Sequence, residues 1–151
     1  MCPLCKLHAV LVYYQYNLRL LHWKIAGIGF DEGHSVMDDY VTQFSDFIDK
    51  IGEIILSRND EHSPMSLEDI IECLNKDDDQ YMRVNPNATF TKETVFACTS
   101  SMFKQIMDIA YDAREQVSDD IASELDSIIY WFRIENCYKM KHRISGTTMN
   151  R

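Results

Sequence analysis

Proline and glycine are scarce in this chain, with three prolines and five glycines in 151 residues. Pro3 suits the start of a helix, and Pro64 and Pro86 fall in polar stretches that read as loops. Gly27, Gly29 and Gly33 cluster where one helical pattern breaks before the next begins. Basic residues are also few: 15 Lys and Arg against 24 Asp and Glu give a net charge of -9. That balance argues against a dedicated nucleic-acid binder, whose footprint is basic, and suits a protein that attracts cations. No apolar run is long enough to span a bilayer, so no membrane span is expected. The first residues, Met1-Cys-Pro-Leu-Cys-Lys6, have no basic segment followed by an apolar one, and no signal peptide is expected. Strand-like alternation and internal repeats are both missing. Cysteine is present in an odd number, five, and Cys73, Cys98 and Cys137 lie inside apolar helical patterns. This pattern predicts free thiols and a cytoplasmic protein. Without a secretory route, the sequon Asn87-Ala88-Thr89 reads as chance.

What is present is helical periodicity. With 46% hydrophobic and 26% charged residues, positions 1–151 read as a single globular domain. Leu7, Val10, Leu11, Tyr14, Leu18 and Leu21 form an apolar stripe over a first helix at about 4–26. A second helix, about 34–58, carries Val36, Tyr40, Phe44, Phe47, Ile48, Ile51 and Ile55, with Asp31 as its expected cap. Ser66 to Asp69 resembles a capping box and opens a short helix at about 66–74. Thr89 or Thr91 caps a helix over about 90–117, and Ser118 caps another over 119–143, followed by a frayed tail at 144–151. The expected fold is all-α: a four-helix bundle with ferritin-like connectivity and a short extra helix in the connection between helices two and three.

The second helix bears two doublets, His34/Asp38 and Asp49/Glu53, each with i, i+4 spacing on one face. Asp38 and Asp49 are eleven residues apart, close to three turns, so all four residues point roughly the same way. Yet His34 and Asp49 stand about 22 Å apart along the axis, and one metal cannot be held by both doublets of one helix. The positions pair symmetrically about a midpoint between Gln43 and Phe44. If two copies of the helix cross antiparallel there, His34 meets the partner's Glu53 and Asp38 meets the partner's Asp49, as a two-fold interface requires. Taken singly, such carboxylates are ordinary solvent-facing residues. Together, flanked by Phe47, Ile48 and Ile51, they predict two equivalent metal sites per dimer, each built from both subunits. Mixed imidazole and carboxylate ligands suit iron or zinc.

The stretch from Leu21 to Tyr40, continuing through Phe47 to Glu53, resembles the ferroxidase segment of Dps mini-ferritins, the DNA-protection-during-starvation proteins. The family pattern is His-Trp, His twelve residues on, Asp four later, Asp eleven later and Glu four later. It is met at His22-Trp23, His34, Asp38, Asp49 and Glu53. The resemblance implies a hollow dodecamer that oxidises Fe(II), preferably with hydrogen peroxide, and stores ferric mineral. It assigns His22, His34 and Asp38 to one subunit and Asp49 and Glu53 to its two-fold partner, with Trp23 as an electron donor beside the site. Three features depart from the pattern: Ile54 follows the Glu ligand where an Arg is common, no lysine-rich extension precedes helix one, and the Pro-containing loop after helix two is longer and more polar than usual. The Glu-x-x-His motif of bundles with a site inside one subunit is absent.

Other signals are weaker. Cys2-Pro-Leu-Cys5 has the Cys-x-x-Cys spacing of a redox or zinc site, but it lacks a strand-helix-strand context and a second pair, and reads instead as two disordered or surface thiols. Asp119, Asp120, Glu124 and Asp126 crowd the start of the last helix, where they either complement the helix N-terminus or line a pore for entering iron. Lys139, Lys141, His142, Arg143 and Arg151 make a mildly basic C-terminal region. That region is the one feature favouring the alternative reading, a DNA-compacting cage with incidental metal sites, and DNA binding is not expected. A non-catalytic helical bundle or metal carrier is the third reading.

Overall fold

The computed structural model describes residues 1–145. Six α-helices account for most of it: α1 Pro3–Lys24, α2 Phe30–Ser57, α3 Leu67–Lys76, α4 Lys92–Arg114, α5 Asp119–Phe132 and α6 Met140–Ser145. Arg133–Lys139, between α5 and α6, is π-helical. α1, α2, α4 and the α5–α6 rod form the four-helix bundle, and α3 lies in the long connection, packed on α1. Among the described residues there is one isolated bridge and no strand. In it, Ala26 donates its N–H to the Phe90 carbonyl and Phe90 donates to that of Lys24, both at 2.9 Å. This bridge sets the topology. The end of α1 touches the start of α4, and Lys92 of α4 reaches Glu32 at the start of α2 (3.8 Å). α2 and α4 therefore begin at the same end of the bundle, and the connection between them must cross its full length, as ferritin-like connectivity demands.

The core is where the stripes meet. Tyr14, Tyr40, Phe44, Phe96, Phe103 and Phe132 are fully or almost fully buried. Phe44 of α2, Phe103 of α4 and Phe132 of α5 lie edge-on or stacked with centroids 5.0–5.9 Å apart. Such pairs add about 0.5–1.5 kcal/mol each beyond the area they bury.

Helix ends differ from the expected ones in informative ways. Ser66 caps α3 by accepting from the Asp69 N–H, and Thr91 rather than Thr89 caps α4 by accepting from the Thr94 N–H. α2 begins at Phe30, a turn before the expected start at 34. Its cap is Gly29, with φ 85°, and Asp31 lies inside the first turn. Gly33, read as a breaker, sits buried within this helix, because a Cβ there would come within 2.2 Å of Ile25 Cδ1. α4 stops at Arg114, three residues short of the expected end near 117.

The expected continuous helix over 119–143 is interrupted. At its π turn the Met140 N–H reaches back five residues to the Glu135 carbonyl. The extra residue per turn brings Glu135 inward, to 7% exposure. Buried carboxylates need partners. Glu135 accepts from Tyr40 Oη (3.1 Å) and pairs with Lys139 (3.0 Å) and Arg143 (3.2 Å). Residues 144 and 145, expected in a frayed tail, belong to α6, and 146–151 lie outside the described residues.

The cysteines also need a correction. Cys73, Cys98 and Cys137 are free, whereas Cys2 and Cys5, read as two thiols, form a disulfide. The first helical turn brings residues i and i+3 together, here with Cα atoms 5.0 Å apart, within bridging range.

Two expectations follow. Gly33→Ala should destabilise the fold by about 1–3 kcal/mol, since the new methyl meets a buried side chain in a packed corner; unchanged denaturant midpoints would show that Ile25 can move aside. His8, buried on α1 and hydrogen-bonded to the backbone of Ile48, has its pKa lowered by burial. The unfolded chain therefore protonates first. Stability from the neutral ring is complete above about pH 6.5 and is lost as pH falls from there through the lowered folded value. His8→Gln should flatten the wild-type loss of stability between pH 7 and 5 in urea titrations; an unaltered slope would assign it elsewhere.

Candidate metal centre

The connection from α1 to α2 spans only residues 25–29, with Gly27 (φ 87°) and Gly29 (φ 85°) in the left-handed region where side chains are strained. This tight corner brings the end of α1 beside the first turns of α2. There His22 and His34 stack, with ring centroids 3.8 Å apart and planes inclined by 25°. Each ring also bonds to the other residue's backbone: His22 Nδ1 to the His34 carbonyl and His34 Nδ1 to the His22 carbonyl, both at 3.0 Å. A carbonyl can only accept, so each Nδ1 carries the proton. In its neutral form each ring keeps its lone pair on Nε2, the tautomer a metal ligand needs, with the backbone bond fixing ring orientation. Phe30 stacks on the outer side of His34, with centroids 5.0 Å apart. Sequence reasoning missed Phe30 because it placed that residue outside the second helix.

The carboxylates lie along the outside of α2. Met37, Tyr40, Phe44, Phe47, Ile51 and Ile55 turn inward and are buried, while Asp38, Asp49 and Glu53 are exposed. Asp38 is one turn from His34. Asp49 and Glu53 are three to five turns further along, so the structure brings His22 and His34 together and leaves the second doublet distant. Among the described residues of one chain, no three His, Cys, Asp or Glu side chains converge to hold a metal ion. Trp23 is 56% exposed and meets Tyr16 edge-on at 6.3 Å. At the expected crossing point near Gln43 and Phe44, one of the two residues belongs to the core. Phe44 is fully buried and cannot meet a partner helix. Thr42 and Ser45, exposed and equidistant from the same midpoint, occupy the outer face at that level. Gln15 of α1 braces this turn, donating to the Val41 carbonyl (2.9 Å) and to Ser45 Oγ (2.8 Å).

The acidic cluster at α5 is partly neutralised within the chain. Glu124 pairs with Lys50 and Asp126 with Arg114, each at 2.5 Å. The Arg114 guanidinium holds the Asp126 carboxyl below its ordinary range. Asp120 accepts from the Ser118 hydroxyl and is lowered in the same sense by that bond and by the Ile121 N–H. Asp119 is exposed in the first turn.

Fold and corner together define a mini-ferritin-like bundle. No protein-family model and no curated protein sequence matches the chain. Solved structures do match it. A mutant of Listeria innocua Dps superposes with a TM-score of 0.77 at 18% identity, covering 98% of this chain and 97% of that one. Mycobacterium smegmatis Dps gives 0.63 at 19% identity over 88% and 82% of the two chains. Helicobacter cinaedi CAIP gives 0.67 at 15% identity over 95% and 92%. The chain thus has the fold of Dps mini-ferritins, the family its motif resembles.

The histidine clasp makes a spectroscopic prediction. Solid-state 15N spectra of the metal-free protein should report a protonated Nδ1 for both His22 and His34, with the neutral form of each ring bearing its lone pair on Nε2. An unprotonated Nδ1 on either ring would contradict the reciprocal backbone bonds.

Proposed function

We propose that the protein is a Dps-type ferroxidase and iron-storage cage, oxidising Fe(II) with hydrogen peroxide and holding the ferric product as mineral. The observation that carries this reading is the His22–His34 clasp: two imidazoles held with both Nε2 atoms available, at one end of an exposed carboxylate stripe. His22, His34 and Asp38 of one subunit, with Asp49 and Glu53 of its two-fold mate, complete a mixed nitrogen and oxygen ligand set suited to iron. Two Fe(II) ions give one electron each, peroxide takes both, and its oxygens leave as hydroxide. Trp23, half exposed on the turn that carries His22, is positioned to donate an electron to stray oxidising equivalents. The net charge of -9 per chain supports cation attraction, and the exposed Asp119 and Asp120 support an acidic entry route. Glu124 and Asp126 contribute less to such a route, because Lys50 and Arg114 already balance them.

The DNA-compacting alternative loses support from the C-terminal region. Of its basic residues, Lys139 and Arg143 are engaged by Glu135, Lys141 stays exposed, and Arg151 lies outside the described residues. Phosphate contacts need uncommitted cations.

Intersubunit complementation tests the assignment. Twelve chains of 17.7 kDa give an assembly of about 212 kDa, which a mass measurement should find. His34→Ala and Asp49→Ala should each slow peroxide-driven Fe(II) oxidation severely in stopped-flow absorbance. When the two variants are unfolded and reassembled together, half of the dimers are mixed and each holds one intact site. Activity should return to about a quarter of wild type. No recovery in a correctly sized mixed assembly would overturn the shared-site reading, as would wild-type rates in the double variant.

A further inference from the structure

The Cys2-Pro3-Leu4-Cys5 turn plays no part in the iron chemistry proposed above. Its placement has the ingredients of a thiol–disulfide exchange centre. The two sulfurs are bonded, and the bridge sits on the first turn of α1, with Cys2 as the cap residue and Pro3 at the first helical position. The Cys5 N–H donates to Cys2 Sγ at 3.1 Å. In the reduced centre a sulfur at that position would face the helix N-terminus and this donor, the setting that favours a thiolate. The surrounding charge supports the same assignment. α2, α3, α4 and α5 each carry carboxylates in their first turns, whereas α1 carries none. The neighbouring cation, Lys6, is turned to Asp79 (2.7 Å) and Asp77 (3.2 Å), so the helix end itself supplies the positive field. The two sulfurs are also unequal in access. Cys5 is buried at 6% exposure, while Cys2 is partly open and follows the exposed Met1.

We propose that Cys2 and Cys5 form a reversible dithiol–disulfide centre that exchanges with small thiol and disulfide molecules. In the reduced centre the Cys2 thiolate attacks a sulfur of the incoming disulfide. A Cys2–partner mixed disulfide forms and the first partner thiol leaves. Cys5 then loses its proton and attacks Cys2 Sγ, forming the internal bridge and releasing the second partner thiol. The centre gives up two electrons and the partner disulfide becomes two thiols; the reverse sequence reduces the bridge. Exposure of Cys2 and burial of Cys5 assign the first to attack and the second to resolution. A disulfide of this kind is compatible with a reducing compartment, where persistent structural bridges are rare.

The probe is glutathione, reduced and oxidised, applied to the full-length protein, with acid quenching, alkylation and peptide mass spectrometry to read Cys2 and Cys5 separately from Cys73, Cys98 and Cys137. The bridge should open and close reversibly across the range of glutathione ratios. In Cys5→Ser, Cys2 should trap one glutathione as a stable mixed disulfide and should alkylate with a pKa below the ordinary thiol value of about 8.5. In Cys2→Ser, Cys5 should alkylate at least about tenfold more slowly at neutral pH, as burial without a stabilised thiolate requires. A bridge that stays closed at every glutathione ratio would identify a structural clip and overturn the proposal, as would equal reactivity of the two thiols. Should either variant fail to fold by circular dichroism, the wild-type titration decides alone. None of these readouts depends on ferroxidase activity, so the two readings stand or fall separately.

Discussion

The tight corner between α1 and α2 is the constraint on which the rest of the molecule depends. Five residues reverse the chain, and two of them are glycines at positive φ. Ile25 packs against the bare backbone of Gly33, so the second helix can start early and lie close to the first. The following residue, Ala26, gives its N–H to Phe90 and thereby docks the start of α4 at the same end. Loosening this corner would separate the histidines and detach the entry of α4 together, because one short segment supplies both contacts.

α2 then does two jobs on opposite faces. Its inner face is aromatic and aliphatic and closes on Phe103 and Phe132. Its outer face carries Asp38, Thr42, Ser45, Asp49 and Glu53 to the surface. Glu135 shows by contrast what a carboxylate requires when the fold buries it: a tyrosine hydroxyl and two cations gathered around it. The exposed stripe on α2 is held in water instead, where carboxylates keep their charge at little cost and a cation or a second helix can reach them. A dimer that covered this stripe would take on the burial problem that Glu135 solves internally, and bound metal ions are one remedy.

The C-terminal segment reads differently from its composition. A run of lysine and arginine looks like a surface available to polyanions. The π turn redirects Glu135 inward so that Lys139 and Arg143 close over it, and Arg143 also bonds Tyr40 Oη. Cations committed to a buried carboxylate hold the bundle together and contribute less field outside it.

Much was determined by sequence alone. Apolar residues at helical spacing reveal every long helix, because burial of one face of a helix imposes that period regardless of what it packs against. Ser66 and Thr91 mark their helix starts because a side-chain oxygen that satisfies a free N–H acts locally. The symmetric placement of His34, Asp38, Asp49 and Glu53 is likewise a property of one straight helix. Tertiary structure decided what depends on neighbours distant in the chain. Gly33 reads as a breaker until Ile25 is seen to need its missing Cβ. Phe44 falls at the midpoint of the ligand pattern, yet its side chain belongs to the core. The π turn leaves no signature in the residues around it, and the Tyr40 hydroxyl that Glu135 meets in the interior is 95 positions away. The tautomer of the two histidines is set by backbone carbonyls that only the folded corner brings within reach. Local spacing announces which residues share a face, and packing alone decides which way that face turns and what it meets.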